Sequence, residues 1–245
     1  MTNNQDIIID PSKKSSLRVG LSWDGLERDH QKFFMGQFSA VKAPFLMLGT
    51  AIDIVVAHVK NNPEDKEAEM NKIKRQSQIY REDMPPHDLD LLCFCFDVQK
   101  KLHSFVAPIY GQEIDVVGSV MHSGDDPDGV GIWDDEDVRV LFAKIPPEVQ
   151  SIFFVVDSDT HNFATVPQDR VRAVDTSIEK DYFCHDLADG VEDVGSDKKT
   201  FIFASLTRKD EKWALRNISK YIAVDSDPQC RLDDSISEII TNNYL

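Results

Sequence analysis

The chain lacks the features that would indicate a secreted or membrane-spanning protein. Its 245 residues include only four cysteines and no Cys-x-x-Cys pair, so a disulfide framework or a thiolate metal site is not indicated. We interpret all four as reduced core residues: Cys93, Cys95, Cys184 and Cys230. No secretory signal is visible at the amino terminus. The longest apolar run, residues 43–59, contains Asp53 and falls short of the about 20 apolar residues that a spanning helix needs. We therefore expect a soluble, cytoplasmic protein.

Catalytic motifs and positive charge are also scarce. The sequence contains no His-Glu-x-x-His, no Gly-x-Ser-x-Gly and no glycine-rich phosphate loop. It has 27 basic against 43 acidic residues, a formal net charge of −16, which disfavours a nucleic-acid backbone or an anionic membrane as a direct partner that binds without a bridging cation. We expect no enzymatic activity, no nucleic-acid partner and no direct membrane insertion.

What the chain has instead is a dense acidic loop, Gly124 to Asp137, with the sequence GDDPDGVGIWDDED. Seven of its fourteen residues are acidic and none is Lys or Arg. Carboxylates a few ångströms apart repel by roughly 1 kcal/mol per pair even in a water-like dielectric. Oxygen ligands alone favour Ca²⁺ or Mg²⁺ over zinc or copper. The loop does not match an EF-hand. Its first ligand position would be Gly124, which has no side-chain oxygen, and its twelfth would be Asp135 rather than Glu.

Two further stretches carry oxygen ligands. Asp88 and Asp90 flank Leu89 at the start of an apolar segment, and residues two apart on a strand point to the same face. This pair could bind metal, or could be solvated at a strand start. Residues 157–163, DSDTHNF, could contribute to the same cation or could simply form a turn. Trp133, between the two halves of the acidic loop, is interpreted as a packing residue.

The periodicity predicts a mainly β fold, either a β-sandwich or a barrel, with a helical hairpin insertion. The predicted strands are residues 17–23, 91–98, 105–110, 138–142, 151–156, 171–175, 181–187, 200–207 and 212–216. The predicted domain comprises residues 1–24 and 87–223. Residues 25–86 form the helical insertion, with a turn at Asn61 to Pro63. Residues 224–245 form an acidic tail, within which Ser235 to Ile240 could form a helical turn.

Three segments resemble the tellurium-resistance TerD family of bacterial stress proteins: VGLSWD at 19–24, HDLDLLCFCFD at 87–97, and HSGDDPDGVGIWDDEDVRV at 122–140. The resemblance continues through HNFATV at 161–166 and the hairpin at 201–213, and so covers about residues 17–221 with a gap. It implies a β-sandwich of two antiparallel sheets with Ca²⁺ bound by acidic loops at one end, a non-enzymatic module that acts by binding partners. The acidic loop could hold one or two Ca²⁺ ions.

The resemblance also implies a set of metal ligands. The side-chain candidates are Asp24, Asp88, Asp90, Asp125, Asp126, Asp134, Asp135 and Glu136, with Asp128 as an additional one. Gly129 or Gly131 could contribute a backbone carbonyl. Two departures from the family bear on this set: the insertion at 25–86, and the bulky pair Ile132 and Trp133 where small or acidic residues are usual.

Three functional hypotheses follow. The first is a Ca²⁺-binding, non-enzymatic module of a tellurite or stress-resistance system that acts on other proteins of that system. The second is a metal-dependent hydrolase or phosphotransferase, in which His122 or His161 would move protons. The third is an oligomeric scaffold that self-associates through residues 25–86 and holds a structural cation.

Overall fold

We describe the fold from a computed structural model, which describes residues 6–23, 88–109, 111–126, 134–158, 163, 169–189, 199–224 and 232–245. The chain divides into one unit made of Met1–Gly25 and His87–Leu245 and a second made of Leu26–Pro86. All described residues belong to the first unit, so the predicted helical hairpin lies outside them and stays a prediction. The first unit is mainly β and contains two antiparallel sheets.

The first sheet has six strands in the order β1-β11-β10-β7-β3-β4. Their bounds are β1 Ile7–Ile9, β3 Leu89–Asp97, β4 Leu102–Val106, β7 Val149–Ser158, β10 Thr200–Lys209 and β11 Lys212–Ile222. The second sheet has five strands in the order β5-β6-β2-β8-β9. Their bounds are β2 Ser16–Ser22, β5 Val120–His122, β6 Glu136–Leu141, β8 Arg170–Asp175 and β9 Lys180–Asp186.

One hydrophobic core is shared by the two sheets. Alternate residues of β2, Leu17, Val19 and Leu21, are fully buried in it, as the period of two in a strand requires. They meet inward residues of the first sheet, including Leu91 and Phe154. The core therefore determines which face of each strand points inward. Polar groups lie at the strand ends and in the loops that follow them.

The first sheet is also covered on its outer face. Strand β3 reads LDLLCFCFD and buries consecutive residues, which is typical of a strand packed on both sides. Its outward residues Phe94 and Phe96 form a second cluster with Ile236 and Ile240. The latter two belong to helix α1, Leu232–Tyr244, whose apolar positions four residues apart lie on one helix face. Helix α1 is thus part of the folded body.

Several predictions made from the sequence need correction. Residues 232–244 form a helix, longer than the short turn expected in the tail, because the apolar outer face of β3 and β7 gives it a surface to cover. Strand β4 begins at Leu102 and ends at Val106, earlier than predicted, and strands β1 and β5 were not predicted.

Cys184 is exposed and is not a core residue, since it lies on β9 at the edge of its sheet. Within the described ranges, no helix combines the length and apolar character that a membrane span requires.

Candidate metal centre

Three carboxylates converge at one end of the two-sheet body. Asp88, Asp90 and Asp125 each offer an oxygen atom, and these oxygens all lie within 4.8 Å of one another. We call this group the carboxylate triad. Asp88 precedes β3 and Asp90 lies in it, whereas Asp125 follows β5 of the other sheet. The triad therefore brings together residues from both sheets that are more than thirty positions apart in the chain.

The spacing of the triad suits a single hard cation. Ca²⁺ binds oxygen at about 2.3–2.6 Å, so two oxygens bound to the same ion lie at most about 5 Å apart. The triad oxygens meet this limit. All three donors are carboxylates, which is the ligand chemistry of Ca²⁺ and Mg²⁺. An ion held there would neutralise the mutual repulsion of these three charges.

The approach of Asp125 to β3 depends on Gly124 and His122. Gly124 adopts a positive φ of 108°, a conformation that a residue with a Cβ seldom takes. Its backbone N–H donates to Nδ1 of His122 at 3.0 Å. Because Nδ1 accepts a hydrogen bond, the ring proton of a neutral His122 lies on Nε2. The turn that brings Asp125 to the triad is therefore held by the preceding histidine.

Glu136 connects the two sheets beneath the triad and is fully buried. Its Oε2 accepts the backbone N–H of Leu91 at 2.8 Å. Strand β4 does not bind this N–H, because the pairing of β4 with β3 ends at Cys93. Its Oε1 accepts the N–H of Asp126 at 3.3 Å. Its Oε2 also lies 3.4 Å from Nε2 of His122. Glu136 thus fixes the strand that carries Asp90 and the loop that carries Asp125.

The burial of Glu136 has an electrostatic consequence. Removal from water raises the pKa of Glu136 above its usual range, and the neighbouring His122 and the two backbone N–H donors oppose this shift only in part. Both oxygens of Glu136 already accept hydrogen bonds from the protein. We interpret Glu136 as a positioning residue for the triad rather than as a direct ligand.

Asp134 makes strong contacts away from the triad. Its Oδ1 accepts from Nε of Arg172 at 2.7 Å, and its Oδ2 accepts from Arg172 at 2.9 Å and from Arg18 at 2.5 Å. Burial alone would lower the pKa of Arg172, but Asp134 and Asp181 outweigh it and raise that pKa. Asp134 can lie over β2 because the residue beneath it is Gly20, where an added Cβ would come within 2.1 Å of Oδ2.

The remaining sequence candidates have different positions. Asp135 extends the pairing of β2, because its N–H donates to the carbonyl of Leu21 at 2.8 Å and its Oδ2 accepts from the N–H of Trp23 at 2.9 Å. Asp126 lies beside the triad, and its backbone is held by Glu136. Four candidates lie outside the described residues: Asp24, Asp128, Gly129 and Gly131. Trp133, Ile132 and His161 also lie outside them.

Asp157 is a neighbour of the triad and the first residue of the segment 157–163, which the sequence offered either as a contributor to the same cation or as a simple turn. It lies directly opposite Asp90 in the pairing of β3 with β7, it is 4% exposed, and it accepts a hydrogen bond from the hydroxyl of Thr200. The sequence alone could not decide between these two roles, because the position of Asp157 opposite Asp90 depends on the register of β3 and β7, which follows from packing rather than from any local motif.

Comparison with known proteins assigns the family. The TerD domain model matches residues 59–226. The chain belongs to the TerD domain family. It is 31% identical over 139 residues to general stress protein 16U of Bacillus subtilis, covering 54% of this chain and 69% of that one. It is 28% identical over 108 residues to the tellurium resistance protein TerD of Serratia marcescens, covering 42% of this chain and 54% of that one.

The fold of this TerD-family protein is similar to that of a solved relative. A homologue of the telluride resistance protein TerD from Streptomyces coelicolor superposes with a TM-score of 0.53 and 15% identity, over 87% of this chain and 93% of that one. At this identity the likeness concerns the fold alone. The matched family region contains Asp88, strand β3 and the acidic loop, and therefore all three members of the carboxylate triad.

Proposed function

We propose that this TerD-family protein is a calcium-binding, non-enzymatic β-sandwich module that serves tellurite or general stress resistance in the cytoplasm by binding other proteins. The observation that carries the calcium proposal is the carboxylate triad, whose three oxygens lie within 4.8 Å of one another. Family membership supports the stress-resistance setting, since relatives are named as tellurium resistance and general stress proteins.

The surroundings of the triad support a preformed site. Ligand geometry is held by residues behind the ligands in most metal centres, and their loss typically weakens metal affinity 10–100-fold. Here Glu136 fixes β3 through Leu91 and the acidic loop through Asp126. Because the triad residues come from both sheets, a bound ion would join β3 to the loop after β5 and would stabilise the native state.

The hydrolase hypothesis receives no support from the described residues. Of its two proton-transfer candidates, His161 lies outside the described residues. The other, His122, has a side chain that is fully buried beside Glu136, and its Nδ1 is occupied by the N–H of Gly124. A general base must reach the proton that it removes, and this ring faces inward. Self-association through residues 25–86 concerns residues outside the described part of the chain and stays a prediction.

Calorimetric titration of metal-stripped protein with Ca²⁺ and with Mg²⁺ tests the proposal, together with thermal unfolding in EDTA and in Ca²⁺. A ligand at a hundredfold excess over its Kd stabilises the native state by about 2.7 kcal/mol, so the unfolding transition should rise clearly in Ca²⁺. Identical transitions in the two conditions would refute calcium binding.

Matched variants locate the site. Asp90→Asn and Asp125→Asn each remove one triad charge and should abolish the heat of Ca²⁺ binding. Asp189→Asn removes an exposed acidic residue that follows β9 and should leave the titration unchanged. If all three variants weaken binding equally, the ion is attracted by the general negative charge and does not occupy the triad.

A further inference from the structure

A second surface lies at the end of the body opposite the triad. Leu89 pairs with Ser158, and Asp97 pairs with Val149, so β3 runs from the triad to the far end. At about 3.3 Å per residue its nine residues span about 26 Å. The connection from β3 to β4 lies at this far end. So does the turn at residues 115–119, because the carbonyl of Ser119 accepts the N–H of Leu141, the last residue of β6.

These two turns expose aliphatic side chains. Val98 is 65% exposed in the first turn, and Val116 and Val117 are 100% and 50% exposed in the second. Strand β4 starts after the first turn and β5 after the second, and the two strands are in contact. Both turns therefore lie where these two contacting edge strands begin, at one corner of the two-sheet body.

Hydrogen bonds hold the Val116–Val117 turn in one conformation. The carboxylate of Asp115, only 7% exposed, accepts the N–H of Ser119 at 2.6 Å, the hydroxyl of Ser119 at 2.5 Å and the N–H of Val120 at 3.1 Å. Gly118 closes the turn with a φ of 66°, and its N–H donates to the carbonyl of Asp115 at 3.0 Å. A buried carboxylate thus holds two valines in a fixed, protruding position.

Exposed lysines accompany the valines. Lys100 and Lys101 follow Val98 and are both exposed. Lys144 is exposed as well, and its Nζ lies 3.8 Å from the position that a Cβ on Gly118 would take. The acid within the valine turn, Asp115, is buried and bound there. Two further acids lie at this end of the body: Asp97 accepts the backbone N–H of Lys101, and Glu148, 56% exposed, lies 3.9 Å from His103. The corner therefore combines protruding aliphatic groups with ammonium groups.

We propose that this corner, formed by Val98, Val116, Val117, Lys100, Lys101 and Lys144, docks on anionic lipid headgroups. Aliphatic groups that enter the boundary between headgroups and acyl chains, with lysines on the phosphates, form the usual peripheral membrane contact. A protruding tip suits a fluid surface, which needs no complementary pocket. Docking here is independent of the proposed calcium function and involves no membrane-spanning segment.

The net charge of −16 argues against an anionic surface when the chain is taken as a whole. The triad, however, lies at the other end of β3, about 26 Å away by the rise of a strand. Exposed charges are screened over about 8 Å at physiological ionic strength. The triad charges would therefore contribute little at the corner, where the three lysines outnumber the two acids Asp97 and Glu148.

Vesicle co-sedimentation of the full chain tests this proposal, with phosphatidylcholine vesicles and with vesicles that also contain phosphatidylglycerol. The wild-type protein should bind only the anionic vesicles, in EDTA as well as in Ca²⁺. Val116→Asp should lower the partition coefficient at least about tenfold, because a charge replaces an inserting aliphatic group. The combined variant Lys100→Glu, Lys101→Glu and Lys144→Glu should lower it by at least as much.

Two controls match these changes elsewhere on the protein. Ile109→Asp alters a residue that is 51% exposed beyond the other end of β4, and Lys220→Glu alters an exposed lysine of β11. Both should retain binding to within about twofold, since neither residue belongs to the corner. A tryptophan at position 116 (V116W) should shift its emission to the blue on anionic vesicles.

Other results overturn the proposal. The proposal is wrong if the wild-type protein does not bind anionic vesicles, if Val116→Asp leaves binding intact, or if binding disappears in EDTA. Concentration-dependent self-association in sedimentation velocity that Val116→Asp abolishes, without vesicle binding, would show that the corner meets another copy of the chain.

Discussion

Replacing Gly20 by alanine should destabilise the protein through one specific collision. Gly20 lies within β2, where an added Cβ would come within 2.1 Å of Oδ2 and 2.3 Å of Cγ of Asp134. Asp134 cannot move aside freely, because Arg18 and Arg172 hold both of its oxygens. The substitution therefore forces Asp134 out of its contacts with the two arginines.

The expected cost follows from the burial of these groups. Breaking a buried ion pair costs about 3–5 kcal/mol. Asp134 is 5% exposed, whereas Arg18 and Arg172 are 15% and 25% exposed, so we expect the lower end, about 3 kcal/mol. For a folded unit of this size, that loss lowers the melting temperature by about 6–12 °C.

Urea unfolding of a double-mutant cycle measures this effect. Asp134→Ala removes the group that the new methyl would strike, so Gly20→Ala on that background should cost less than about 1 kcal/mol. The backbone of Gly20 is not in the left-handed region, and alanine itself introduces no backbone strain. Equal costs on the two backgrounds would refute the reasoning, and would show that Gly20 is needed for something other than space.

Three further predictions concern the carboxylates and the helix. Burial alone would raise the pKa of Asp175, but hydrogen bonds from Lys14 and Ser177 outweigh it and lower that pKa to about 2. That stabilisation is present above pH about 4 and is lost as the pH falls towards 2, so Asp175→Asn should cost about 2 kcal/mol at pH 7 and almost nothing near pH 2 in urea unfolding. Glu136→Gln should weaken Ca²⁺ binding at least about tenfold in calorimetry without removing a triad carboxylate, because the N–H groups of Leu91 and Asp126 bind different oxygens and one of these becomes an NH₂ group that cannot accept; unchanged affinity would contradict its positioning role. Ile240→Ala should destabilise the protein by about 2–4 kcal/mol, since it leaves a cavity between α1 and the first sheet; a loss within error would show that α1 is not packed there in solution.

The local pattern of the sequence predicts most of the strands. Strands β2, β3 and β7 follow from apolar runs whose period or continuity matches a sheet with one or two buried faces. Strand β5 is missed because its three residues, Val120–His122, are too few to show a period. Helix α1 is predicted only as a turn at Ser235 to Ile240, because polar residues outnumber apolar ones in it and its full length depends on an apolar sheet face that only the folded chain presents.

For the candidate site, sequence identifies the residue types better than their roles. Asp88, Asp90 and Asp125 are all found from charge and spacing, and the structure brings them together. The contacts of Asp134 and Glu136 could not be foreseen. They depend on Gly20 leaving space over β2 and on β4 ending before Leu91. Both are consequences of how distant strands pair, which no local motif records.

The division of the triad between the two sheets has a consequence for how ion binding would be regulated. Coupling between two binding events is reciprocal. If a partner changes the affinity for the ion by some factor, the ion changes the affinity for that partner by the same factor. A partner that binds one sheet and alters its alignment with the other would change the distance from Asp125 to Asp90. Such a partner would sense the ion without touching it, and the ion would in turn set the affinity for that partner.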